Sequence, residues 1–504
     1  MRTVCQRKGW NTDLRQKVLL VVPHQDDELF VGGGLFKRLV TDGAYEGYVV
    51  FTTNGDFYAH EAEVRLRESL YVLTKLYGLE ESHIFFLGYG DGWQGGVHLY
   101  HQEGEKPLVS AAGRAETYGI EGHEDYRWSR TGRHSACRRG DFKQDLLEVL
   151  REVRADILLA VDCDKHPDHR AASLLFEECL GEILREDKTY RPLVLKRFAY
   201  DGVWKGKADF FEMPRKGTVM TLTEPVPYRE EEALRFAMPS DCAVPWLSDN
   251  FLYRAFRHYK TQEIWQKADE IINIDEVFFK RNTDNLLYGA RVTASSGNPV
   301  YLSDFKLFDC GDVLQKAFVL GECGWKPEES DEEKRVRIHF ETPRTIDRIA
   351  IYARGDSGKD RLTVGISFDT GMVLTGTAIC PDGKKNLLVF APQTGVRDME
   401  LHIERWEGVF WGITELEVLP PEEEALPKEL EEYLFRADSL KMTRLVKTRM
   451  KAEKTVLSFK RKLSRWLPNG YALRRYYPEL VGMQTVPVGY RIKYMMRRIR
   501  QKFR

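Results

Sequence analysis

The tightest constraint on this chain is an alternation running through its first 200 residues, in which short apolar runs ending in polar turns are each followed by a stretch of helical period. Residues 17–22 (KVLLVV) are a nearly continuous apolar run, as expected of a strand covered on both faces. Residues 33–43 (GGLFKRLVTDG) read as a helix and 47–56 (GYVVFTTNGD) as a second strand. Residues 63–78 (EVRLRESLYVLTKLYG) place apolar side chains near i, i+3 and i+4, and 142–154 (FKQDLLEVLREVR) do the same. Two more strands, 83–92 (HIFFLGYGDG) and 155–164 (ADILLAVDCD), end in polar turns. Strands and helices alternating at this length predict an α/β fold, a Rossmann-like open, mostly parallel sheet. Such sheets take ligands beyond the carboxyl ends of their strands, and the unusual polar residues fall there.

Pro23-His24-Gln25-Asp26-Asp27-Glu28 follows the first strand directly. Crowded carboxylates raise one another's pKa unless a cation neutralises them, so this turn is a poor purely structural choice. Asp164-Lys165-His166-Pro167-Asp168-His169 stands at the end of another predicted strand. A single His–Asp pair is more often a surface hydrogen bond than a metal site. Two such segments at two strand ends of one sheet are far more specific. Their two histidines and one carboxylate, with a position left for water, match a catalytic zinc site. A dinucleotide site is excluded, because Gly32-Gly33-Gly34 lacks the GxGxxG spacing and Asp26-Asp27-Glu28 would repel a pyrophosphate.

The PHQDDE and HPDH segments resemble the signatures of PIG-L/LmbE-type zinc-dependent N-acetylglucosaminyl deacetylases, with Gln25 in place of the usual proline. The likeness extends through Thr52-Thr53-Asn54-Gly55-Asp56, Arg65-Leu66-Arg67-Glu68, residues 88–92 and Tyr259-Lys260-Thr261-Gln262, about 275 residues in all. The resemblance implies His24, Asp27 and His169 as ligands of Zn2+, with another divalent metal such as Fe2+ as the alternative. It implies Asp26 as general base, His166 as the group facing the tetrahedral oxyanion, and Asp168 behind that imidazole. It places Arg65 and Asp91 on sugar hydroxyls, although Arg65 reads equally well as a structural ion pair with Glu68 or a neighbouring helix. Asn54 and Asp56 suit turn formation better than ligation. His101, His123 and His134, in the long Gly-, His-, Arg- and Trp-rich stretch 89–140, suit solvated loop positions better than substrate contacts. That stretch is long enough to be an ordered lid or cleft wall.

From about Asn285 the pattern changes to period-two strands, residues 336–340, 349–353, 362–368 and 399–403, separated by Gly, Pro and Asp turns. These predict an antiparallel β-sandwich that resembles discoidin or galactose-binding domains. Trp325, Trp406, Phe410 and Trp411 are its candidates for stacking on carbohydrate, with core packing as the favoured reading. The expected domains are 1–280, 281–420 and a basic helical tail, 421–504.

Lys441–Arg504 holds 19 Lys and Arg against 2 Asp and Glu, so a formal net charge of −1 conceals a +17 tail on a −18 body. Ile492, Met495, Ile499 and Phe503 share one helical face within it. This suits an anionic membrane surface, with packing on the acidic body and contact with other polyanions as competing readings. No recognition motif supports a nucleic-acid partner. Eight scattered cysteines without a CxxC pair and an N-terminal apolar run of five residues predict a cytoplasmic protein, peripheral at the inner membrane surface through the tail. The expected activity is removal of an acetyl group from an N-acetylated amino sugar, free, lipid-linked or in a glycan intermediate. The alternatives are a catalytically silent carbohydrate-binding scaffold and a zinc hydrolase of a non-sugar amide.

Overall fold

The computed structural model describes residues 15–43, 45–91, 99–100, 102, 104–200, 211, 218, 221–222, 226–244, 246–308, 324–356, 359–421, 426–436, 444–483 and 485–502. Gly92, His101 and Phe503 of the sequence reading lie outside them.

Seven strands form the first sheet: β1 (Gln16–Val22), β2 (Tyr45–Thr53), β3 (Ile84–Tyr89), β4 (Ile157–Val161), β5 (Leu193–Arg197), β6 (Ala233–Ala237) and β7 (Asp275–Arg281). Their order is β3-β2-β1-β4-β5-β7-β6. The five strands from β3 to β5 are parallel, and β7 and β6 add an antiparallel edge. β1 shows why a continuous apolar run is needed at the centre. Val18, Leu20 and Val22 enter the core on one face, and Leu19 and Val21 enter the core on the other. The expected open, mostly parallel sheet is what the chain forms. The sequence reading did not anticipate its antiparallel edge.

The second sheet is antiparallel, in the order β11-β10-β12-β9-β13, with β8 paired to β9. Its strands are β8 (Ala290–Ala294), β9 (Arg335–Arg354), β10 (Arg361–Phe368), β11 (Val373–Ile379), β12 (Asp382–Glu407) and β13 (Gly412–Leu419). Val336, Ile338 and Phe340 alternate inward as predicted. One expectation needs correcting: 336–340 and 349–353 belong to a single long strand, β9, and Pro343 does not end it. β9 and β12 pair along their length, and the pairing register shifts repeatedly between Val389 and Asp398, where the ladder bends instead of breaking.

Trp325 is fully buried in the core of this sheet, and Phe410 is buried there too. Trp406 packs against the core, which leaves Trp411 as the exposed aromatic of the four, its indole N–H donating to Asp356. The Trp325 main chain exchanges two hydrogen bonds with Ile413, and its indole N–H donates to the Ser296 carbonyl at 2.9 Å. Trp325→Ala should therefore lower unfolding stability by about 3–5 kcal/mol, read from denaturant melts. A loss below about 1 kcal/mol would show that the core recloses around the gap.

The two sheets are joined by buried polar contacts. Arg281 at the end of β7 donates to the Phe305 carbonyl, and the Phe305 amide donates to Glu415 of β13 at 3.2 Å. No helix among the described residues is long and apolar enough to cross a membrane.

Candidate functional site

β1 and β4 are neighbours, Val18–Val21 pairing with Ile157–Ala160, so the turns that leave them open side by side at one edge of the sheet. From β1 the chain turns at Pro23 into a short helix, Asp27–Val31. From β4 it turns through Asp162–His166 into the long helix Pro167–Glu186, with proline at the first helical position, where its missing N–H is harmless. Two segments about 140 residues apart in sequence thus meet at one point.

The meeting is close. His24 Nδ1 lies 2.9 Å from Asp27 Oδ2, and His169 Nε2 lies 3.2 Å from the same oxygen. His24 Nε2 lies 3.0 Å from Asp168 Oδ2 and 3.7 Å from Asp91 Oδ2. The His166 ring stands 4.8 Å from His24 and 4.7 Å from His169. Donor atoms of His24, His166 and His169 lie within 4.8 Å of one another, and so do those of His24, Asp91 and Asp168. All eight sequence-predicted site residues are at this crevice, Arg65 reaching it through Asp26.

The electrostatics follow from the crowding. Burial lifts the Asp26 carboxyl to about 6, opposed by the charge of Arg65. Burial would raise Asp27 as well, but His169 and His24 outweigh it and hold it well below the usual carboxylate range. Burial disfavours the His24 cation, yet hydrogen bonds with Asp168 and Asp27 lift its pKa to about 10. His169 is raised against burial by Asp164 and Asp27. A divalent cation at this point would offset the crowded carboxylates and compete with protons for the same imidazole nitrogens. Asp27 Oδ1 and His169 Nε2 are buried without a hydrogen-bond partner. Groups of this kind are rarely left so in a folded protein. The donor set fits a divalent cation held by His24, Asp27 and His169.

His166 behaves differently. Burial and the positive charges of His169 and His24 keep it neutral. Its Nδ1 accepts the Asp168 backbone N–H at 3.3 Å, which places the ring proton on Nε2. The Asp168 carboxylate, expected behind His166, stands 3.8 Å from His166 Nδ1 and makes its shorter contact with His24.

The ion-pair partner of Arg65 is Asp26 rather than Glu68. Its guanidinium donates to the carbonyls of Gln25 and Gly55, each at 3.1 Å, and to Asp26 Oδ1 at 3.2 Å. Glu68 instead accepts from Lys260 and Thr261, with the Thr261 hydroxyl at 2.6 Å. Gly55 sits at φ +56°, and a Cβ there would collide with the Arg65 guanidinium. Asp26 itself sits at φ +124°, where a non-glycine residue costs on the order of 1–3 kcal/mol. Several contacts hold it there: Arg65, the Glu28 carboxylate accepting the Asp26 amide at 2.8 Å, and Tyr259 bonded to Glu28. The Gln25 amide donates to the Thr53 carbonyl at 2.8 Å, so a hydrogen bond pins the turn.

Other expectations change. Asp56 is no simple turn former. It is fully buried and accepts from the Asp91 amide, Ser110 and Tyr118, tying the 104–140 stretch to the sheet. Asn54 donates to the Tyr118 carbonyl at 2.7 Å. His123 and His134 are half-buried and engaged away from the site. One contacts the Ile84 carbonyl at 2.8 Å and the other Asp125 at 2.5 Å.

Sequence reasoning missed two residues. Asp164 contacts His169 Nδ1 at 2.7 Å and accepts the Tyr200 amide at 2.9 Å, which leaves Nε2 of His169 as the nitrogen turned to where a cation would sit. Tyr200 lies beyond β5 and sets its ring 4.6 Å from His169. The signal for Asp164 was its place at the start of the second motif. For Tyr200 it was the end of a third adjacent parallel strand.

Residues 19–180 match the family model PIG-L, described as GlcNAc-PI de-N-acetylase. No curated protein matches the chain in sequence. Among solved structures, a deacetylase–bog complex from the biosynthesis pathway of teicoplanin is 12% identical over 52% of this chain and 97% of that one, with a TM-score of 0.31. The family 32 carbohydrate-binding module of Clostridium perfringens NanJ in complex with galactose is 15% identical over 26% of this chain and 93% of that one, with a TM-score of 0.20. A further module, CpGH89CBM32-6 produced by Clostridium perfringens, is 20% identical over 27% of this chain and 98% of that one, with a TM-score of 0.18.

Proposed function

We propose, since residues 19–180 of this chain match the PIG-L family model, that it is a zinc-dependent hydrolase that removes the acetyl group from an N-acetylated amino sugar. The amino sugar comes from the family description. The chemistry rests on one observation: two His–Asp segments about 140 residues apart converge on a buried point where Asp27 Oδ1 and His169 Nε2 have no hydrogen-bond partner.

Bound by His24, Asp27 and His169, the metal would supply a water of lowered pKa, near ~7, and a polarised amide carbonyl. Asp26, lifted to about 6 by burial, is ionised at neutral pH and still basic enough to take a proton from the attacking water. Arg65 holds one Asp26 oxygen, which fixes the orientation of the other. As the carbonyl carbon becomes tetrahedral, neutral His166 donates its Nε2–H to the developing oxyanion. Asp26 then gives its proton to the departing amine as the C–N bond breaks, releasing acetate and the free amino sugar. Asp168 holds His24 rather than His166 and so works through the metal ligand.

The purified chain should release acetate from an N-acetylhexosaminide, lose that activity on chelation and recover it with zinc. Release that survives complete metal removal would overturn the metal-dependent chemistry. Acetate release confined to non-sugar amides would overturn the substrate class.

A further inference from the structure

The tail docks on the first domain, and it does so through only one side of its long helix, Arg444–Trp466. Met450 and Leu457 are buried against the body. Arg461 pairs with Asp269, Arg449 with Asp249, and Glu453 accepts the Leu247 amide and the Ser248 hydroxyl. The next helix, Gly470–Tyr476, sends Arg475 to buried Glu61 and to the Thr261 carbonyl at 2.7 Å, beside the element that supports the candidate site.

The opposite side of Arg444–Trp466 carries a second apolar seam that remains exposed. Leu445, Val456, Phe459, Leu463 and Trp466 are exposed, Leu445 at 77% and Phe459 at 65%. At about 100° per residue they fall within a sector of roughly 100°, facing away from Leu457. The last helix, Val488–Lys502, touches the first and repeats the pattern, with Tyr494 buried and Val488, Ile492 and Met496 exposed on the far side. Cations flank both seams. Residues 444–466 hold nine Lys and Arg, and the sole acid, Glu453, is engaged with the body. Residues 488–502 hold six Lys and Arg and no acid.

We propose that these two seams form a docking face for an anionic lipid bilayer. An apolar strip bordered by cations matches the boundary between acyl chains and acidic headgroups, where each part of the face finds its complement. A second copy of the chain would satisfy the strips but would set cation against cation along both borders. A soluble polyanion would satisfy the cations and leave the strips in water.

The test uses the full chain and sedimentation with vesicles of phosphatidylcholine, with and without phosphatidylglycerol. Binding should require phosphatidylglycerol and weaken as salt screens the headgroups. Phe459→Glu and Ile492→Glu should each weaken it by about tenfold or more, because each puts a carboxylate into the apolar strip. Both side chains are exposed, so acetate release from a soluble substrate and the melting temperature should stay at wild-type values. Three outcomes overturn the proposal: no binding to phosphatidylglycerol vesicles, binding that both variants retain in full, or a dimer that Phe459→Glu dissociates in a chain that ignores vesicles. Retention on heparin without vesicle binding would likewise assign the face to a soluble polyanion.

Discussion

Asp26→Asn should lower kcat for acetate release by about 10²–10⁴-fold while metal content and melting temperature stay near those of the wild type. Asparagine is the informative replacement for a structural reason. Asp26 sits at φ +124°, and asparagine keeps its shape in that turn, whereas alanine would lose the Arg65 contact together with the base. The amide keeps an oxygen for Arg65 and the same shape in the turn, so the substitution removes the proton acceptor and little else. Metal analysis separates the outcomes. Lost activity with metal retained is the signature of the missing base. Full activity with metal retained would assign proton transfer to another group, and lost metal would mean that Asp26 supports the ligands rather than the reaction.

Which parts of this site were legible beforehand depended on how local the signal was. His24, Asp26 and Asp27 lie within four consecutive positions after a strand, and His166, Asp168 and His169 within four more, so the residue types and the strand ends were enough to nominate them. The strands themselves were legible because β1 is apolar on both faces and β9 alternates, and both patterns are carried by neighbouring residues. What the sequence did not display was the direction in which these side chains reach. Whether Asp168 serves His166 or His24 is decided by about 0.8 Å, a difference set by how helix Pro167–Glu186 enters the crevice. Arg65 could be placed near the motif, but its three acceptors come from the Gln25 and Gly55 carbonyls and from Asp26, and two of them are main-chain atoms that a sequence does not display. An amphipathic face was read only on the last helix, through Ile492, Met495 and Ile499. Helix Arg444–Trp466 has two seams on opposite sides, so packing on the body and an open basic-apolar surface coexist instead of competing.

The second large effect is expected at the proposed metal ligands, where a graded pair of variants separates holding the metal from orienting its ligand. His169→Gln should leave the protein with background metal and background acetate release, unrecovered by added zinc, because a fully buried ligand is replaced by a weaker donor of different reach. Asp164→Asn should behave differently. Asp164 contacts His169 Nδ1 at 2.7 Å and so selects Nε2 for the metal, and loss of such a carboxylate typically costs about 10–100-fold in metal affinity. The asparagine carbonyl can still accept the Nδ1 proton, so the ring orientation survives and excess zinc should restore most of kcat. Titration with a competing chelator reads the affinity, and the zinc dependence of acetate release reads the rescue. The thermal shift on zinc addition should be large in the wild type, delayed to higher zinc in Asp164→Asn and absent in His169→Gln, since a ligand stabilises only the state that binds it. Wild-type affinity in Asp164→Asn would mean that the fold alone fixes the His169 ring. Full metal content in His169→Gln would move the metal away from the point where His24, Asp27 and His169 converge.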